Sequence, residues 1–69
     1  MFGILEKISV WQKGTIILGH DSNEWRADFQ GKIIRFSDHG DRNSNYGWEI
    51  GHIVDRAFGG NDHISNLRP

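Results

Sequence analysis

Cysteine is absent from the sequence, so neither a disulfide nor a four-cysteine zinc site can brace the fold. Proline occurs once, at Pro69. Neither sign of charge dominates: 8 Lys and Arg stand against 9 Asp and Glu, for a formal net charge of -1. A free-standing duplex-DNA binder normally carries a basic surface, which this balance does not provide. A nuclease is not excluded, because a bound divalent cation supplies positive charge locally. Nor is an acidic surface that binds a basic protein. No apolar run approaches the roughly 20 residues that cross a bilayer, so no membrane partner is expected. Met1 to Val10 carries Glu6 and Lys7 inside its apolar stretch and lacks a basic leader. It is therefore not expected to be a signal peptide, and a soluble, cytoplasmic chain is expected.

The 69 residues suffice for one small domain, 1–69. Domains of this size bury only about 60% of the surface that their unfolded chains expose. With disulfides excluded, the available supports are a bound ion, self-association or a well-packed aromatic core. The 3 Trp are assigned to that core rather than to base stacking, since so short a chain needs their buried area.

Along the chain, Ile4, Leu5, Ile8 and Trp11 recur at helical spacing, predicting an amphipathic helix over 2–13 with that stripe facing a sheet. Gly14 ends it. The β-branched run 15–18 suits a short strand, and 19–23 has turn composition. Residues 25–28 and 32–36 flank Phe29-Gln30-Gly31 as a hairpin with Ile33 or Ile34 pointing inward. The polar stretch 37–46 reads as a surface loop. Residues 47–54 read as a strand with Trp48, Ile50, His52 and Val54 on one face. A loop centred on Gly59-Gly60 follows, and Asn66 begins a second strand. The expected class is a small α+β domain.

Tyr46-Gly-Trp-Glu-Ile-Gly-His-Ile-Val54, followed by Gly59-Gly-Asn-Asp-His-Ile-Ser-Asn-Leu-Arg-Pro69, resembles the HNH endonuclease motif. The segments 10–15, 19–26 and 35–44 are also similar to small bacterial and phage HNH proteins, so the likeness runs from the first helix to the last residue. The resemblance implies a partial ββα-metal unit acting on DNA with a divalent ion (Mg, Mn or Zn). In that family the ion neutralises charge on the scissile phosphate. A neutral imidazole, whose ordinary pKa is near 6.5, takes a proton from the attacking water. His52 matches that base. Asn66 matches the central Asn, whose amide braces the inter-strand loop. Arg42, Arg56 and Arg68 are the candidate phosphate contacts. Arg35 joins them, although scattered Arg is usually solvated surface.

The sequence also departs from the pattern. Gly51 stands where the family has a metal-binding Asp, and Asp55 stands where it usually has Pro. The helix that carries the family's final His would begin beyond Pro69, so the unit is expected to lack it. No residue is assigned as a metal ligand; Glu49, Asp55, Asp62 and His63 are the remaining candidate donors, with no spacing that favours a set. His20, His39 and His63 are expected to be solvated.

Without its helix, a ββα unit leaves an apolar face around Trp48, Ile50, Ile64 and Leu67. Something is expected to cover it: a second copy of the chain, a protein partner, or the N-terminal helix. Two functions follow from the resemblance. One is an HNH-type nuclease acting on DNA through His52. The other is an inactive relative that binds nucleic acid or engages a nuclease or defence complex.

Overall fold

A computed structural model describes residues 2–69. Helix α1 (Ile4–Trp11) leads into a three-stranded antiparallel sheet of β1 (Thr15–Ile16), β2 (Trp25–Ala27) and β3 (Ile33–Arg35), in that spatial order. A separate two-stranded ribbon joins β4 (Gly51–His52) antiparallel to β5 (Leu67–Arg68). Three 3-10 turns, Phe36–Asp38, Arg56–Phe58 and Ile64–Asn66, punctuate the connections. The molecule is a mixed α+β domain, as the sequence predicts.

Helix α1 is shorter than its periodicity predicts. The Glu6 carboxylate accepts the Gly3 N–H at 3.0 Å and sets its start. The Lys13 and Gly14 amides return to the carbonyls of Val10 and Trp11 and close its end. The expected inward stripe is corrected by the structure: Ile4, Leu5 and Ile8 are exposed, whereas Val10 and Trp11 are buried. Trp11 decides the helix's rotation. Its indole N–H donates to the Ser22 carbonyl at 3.0 Å, and its ring meets Trp48 and Phe36 at 5.2 and 5.4 Å between centroids. A large amphipathic ring with a satisfied donor outweighs three small aliphatic contacts in a chain this short.

The hairpin forms as predicted, with Ile34 inward and Ile33 exposed. At its tip, Asp28 Oδ1 accepts the amides of Gln30 and Lys32, each at 2.9 Å, and Gly31 takes the positive φ that the turn requires. The core collects one or two residues from each region: Val10, Trp11, Ile34, Trp48 and Leu67, with Phe2, Phe36 and Ile50 packed against them. Two of the three Trp are thus core, as predicted, and Trp25 is half-buried beside Tyr46.

The long strand predicted over 47–54 is not formed. Only Gly51 and His52 pair as a strand, while Trp48 makes an isolated parallel bridge to His39. Backbone bonds from outside divert the chain on both sides. The Trp48 carbonyl accepts the Gly40 amide at 2.9 Å, and Val54 is taken up by the Asn66 side chain. The predicted alternation fails accordingly: Trp48 is buried but Val54 is exposed.

Of the three covers considered for the Trp48–Leu67 face, the chain itself supplies one. Helix α1 packs on β5 and on the Ile64–Asn66 turn, and Lys13 Nζ donates to the Leu67 carbonyl at 2.6 Å and also to that of Ile64. Ile64 itself remains exposed.

One buried charge has no counterpart in the sequence reading. Arg26, 9% exposed, donates from Nε to the Ser22 carbonyl at 2.9 Å and from Nη1 to those of Gln12 and Gly14 at 3.0 Å. It joins the end of α1, the turn before β2 and β2 itself. Arg26→Met, which fills similar space but leaves the carbonyls of Gln12 and Gly14 without their side-chain donor, is expected to cost about 3 kcal/mol. Urea unfolding measures it, and an unchanged midpoint would show that the guanidinium is dispensable.

Candidate functional site

The ribbon β4–β5 and the loop 53–66 build the site around His52. Opposite His52 in the register stands Leu67, which is fully buried. The imidazole therefore leans toward the core side of the ribbon and is 22% exposed, with the Phe2 ring 6.3 Å away. Its Nε2 lies 2.7 Å from Asp62 Oδ1.

The hydrogen bond to His52, assisted by the charge of Arg56, holds the Asp62 carboxyl below the usual carboxylate range. An ionised carboxylate only accepts, so the proton of the pair sits on Nε2. Nδ1 then carries the lone pair, and it has no hydrogen-bond partner among the described residues. No fully buried side-chain nitrogen or oxygen there is unpaired, so Nδ1 is not completely buried.

Asn66 is committed differently. Its Oδ1 accepts the Val54 amide at 2.8 Å, and its Nδ2 donates to the carbonyls of Val54 and Asn61 at 3.0 and 2.8 Å. Both donors and the acceptor are used on backbone, so Asn66 braces the loop. The loop in turn carries Asp62 to the imidazole.

Two glycines make this possible. Gly59 adopts φ 90°, and a Cβ on Gly60 would lie 1.7 Å from the Val54 carbonyl oxygen. Asp55 Oδ1 accepts the Ala57 amide at 2.8 Å and opens the Arg56–Phe58 turn.

The three candidate phosphate contacts do not converge. Arg56 Nη1 lies 3.8 Å from Asp62 Oδ2, on the imidazole's side. Arg42 pairs loosely with Glu49 at 3.5 Å. Arg68 stacks 3.5 Å from the centroid of the Phe29 ring, linking the ribbon to the hairpin tip. Arg42 and Arg68 border a cleft of about 610 Å³ that also touches Lys32, Trp48, Gly51 and His52. Arg35 is bound to Glu24, with Nε to Oε1 at 2.9 Å.

Among the remaining histidines, His20 is exposed. The ring of His63 accepts the Ser65 amide at 3.3 Å. His39 is exposed, as expected, although one edge of its ring lies against Trp48, 4.6 Å between centroids. Partial burial there, reinforced by Lys7, pushes its pKa down.

The described residues form no assembled set of three or more side-chain ligands for a divalent ion. Gly51 presents no oxygen. Asp62 is engaged by His52, Asp55 caps a turn and Glu49 pairs with Arg42. No three His, Asp or Glu side chains among the described residues converge to hold a metal. No helix among them is long and apolar enough to cross a membrane.

Sequence reasoning named Asp62 only as one spare oxygen donor and missed its pairing with His52. The signal available was the shared loop: Asn66 closes it, and Asp62 falls at its turn. Comparison of the chain with family models, with curated proteins and with solved structures finds no match in any of the three.

The depressed Asp62 carboxyl has a consequence for acid stability. A lowered folded pKa adds stability above the unfolded value, near 4, which is lost as pH falls through the folded value. Asp62→Asn is therefore expected to be less stable than the parent at neutral pH, and the two should converge as pH falls below the usual carboxylate range. Thermal melts across that range check it; parallel curves would show that the pair contributes nothing.

Proposed function

We propose that this chain is an HNH-type, phosphodiester-directed module acting on or binding DNA, with Nδ1 of His52 as its proton acceptor. The observation that supports the reading most is the pairing of two arrangements on one loop. Asp62 fixes the tautomer of the imidazole, and the Asn66 amide ties the ends of the loop that delivers Asp62. That division of labour, a base on one strand and an amide brace at the head of the next, is what the resemblance implies for His52 and Asn66.

In this reading a divalent ion, where one acts, takes ligands from outside the described residues, from a second copy of the chain or from a protein partner. The exposed stripe of Ile4, Leu5 and Ile8 offers apolar surface for such an association.

Gly51 favours a second reading. With no carboxylate beside His52, the chain is a reduced relative that binds nucleic acid or engages a nuclease or defence complex without cutting.

A plasmid-nicking assay with Mg²⁺, Mn²⁺ or Zn²⁺ separates the two. Under the first reading, metal-dependent nicking is present and His52→Ala lowers it by about 100-fold or more, the usual contribution of a general base. Under the second, nicking is absent. Gly51→Asp is then expected to create or raise metal-dependent nicking. The space is there: a Cβ at position 51 meets only the Arg68 carbonyl, 3.9 Å away. A Gly51→Asp protein that folds yet stays inert with all three metals would count against a degenerate HNH site.

A further inference from the structure

The proton acceptor and the cation requirement come apart in this molecule. DNA hydrolysis needs a water activated at the phosphate, and it is the ion that usually supplies charge stabilisation there. The described residues offer a base without a ligand set. A ribonucleotide asks for less, because its 2′-hydroxyl is a nucleophile already positioned next to the phosphorus. What it requires from a protein is a proton acceptor at that hydroxyl and positive charge near the phosphate oxygens.

Both are present around the Asp62 carboxylate. Nδ1 of the neutral His52 ring bears a lone pair with no protein partner, is not completely buried and belongs to a ring whose far nitrogen is anchored to Asp62 at 2.7 Å. The Arg56 guanidinium stands 3.8 Å from the second oxygen of the same carboxylate and is 69% exposed, so most of its donors are free to meet an anion.

We infer that the His52–Asp62 pair, with Arg56 beside it, cleaves single-stranded RNA by transesterification that requires no metal ion. The inference rests on the reading of His52 as a proton acceptor at a phosphodiester.

Nδ1 removes the proton of the 2′-hydroxyl as the 2′-oxygen forms a bond to the adjacent phosphorus. The bond from phosphorus to the 5′-oxygen breaks, and that oxygen leaves with a proton returned by the imidazolium or by water. The products are a 2′,3′-cyclic phosphate and a free 5′-hydroxyl, with no change of oxidation state. Asp62 holds the ring's tautomer and stabilises the imidazolium, and is a positioning residue. Arg56 meets charge that builds on the phosphate oxygens.

The test uses the full chain in excess EDTA with a DNA oligonucleotide containing one ribonucleotide, alongside the all-deoxy version. Expected is scission only at the ribonucleotide, leaving a 2′,3′-cyclic end identified by mass spectrometry. His52→Gln keeps an N–H for Asp62 but has no basic nitrogen, and should lower the rate by about 100-fold. Arg56→Gln should lower it by about 10-fold. Circular dichroism of each variant verifies folding.

Absence of scission in EDTA, or scission that His52→Gln leaves unchanged, overturns the inference. Plasmid nicking with added metal that depends on His52 would still uphold the DNA reading, so the two fail separately. If neither substrate is cut under any condition, both fall.

Discussion

The chain leaving a short helix has to be held against the sheet, and here a buried guanidinium takes a large part in it. Arg26 projects from β2 and collects the carbonyls of Gln12, Gly14 and Ser22. The first two lie in the turn that ends α1 and the third in the turn before β2. Without that cation the end of α1 would be held to the sheet by fewer contacts. Trp11, which shares the Ser22 carbonyl, would lose its reference point, and the aromatic cluster with Phe36 and Trp48 depends on Trp11. Gly14 is part of the same arrangement: a Cβ there would press on the Arg26 side chain at 3.1 Å, so the chain passes close enough for the guanidinium to reach.

A second polar connector does for the ribbon what Arg26 does for the helix. Two residues per strand cannot define a sheet by their own pairing. The Asn66 amide adds three bonds across the base of the loop, and Lys13 adds bonds from the helix to the carbonyls of Ile64 and Leu67. His52 is consequently held by a loop and a helix more than by a strand. Its orientation follows from the Asp62 carboxylate and from the Phe2 ring behind it. The chemistry assigned to it, on DNA or on RNA, draws on that fixed tautomer.

Several elements were legible in the sequence because their signals are local. The hairpin announces itself through the Asp28-to-Lys32 turn, and the helix through its stop at Gly14. Asn66 was legible as a brace through resemblance. The inward face of the helix was not: periodicity counts apolar residues equally, whereas the structure is decided by the one side chain, Trp11, that both fills volume and finds a partner for its N–H. The strand over 47–54 failed for a related reason. Alternation predicts pairing only when a neighbour of matching length exists, and β5 offers two residues. Arg26 was invisible because burial of a cation depends on carbonyls brought together from two separate turns. The His52–Asp62 contact joins residues ten apart across a folded loop, a distance that neither helical nor strand periodicity reports.

Gly60 carries a consequence at the level of the gene. The Val54 carbonyl oxygen occupies the place of a side chain there, so the site admits one amino acid. All glycine codons share their first two bases, and any missense change at either one installs a residue with a Cβ. Third-position changes are silent. Among living descendants of this sequence, codon 60 should therefore record drift only at its last base, a signature of a backbone contact written into nucleotide variation.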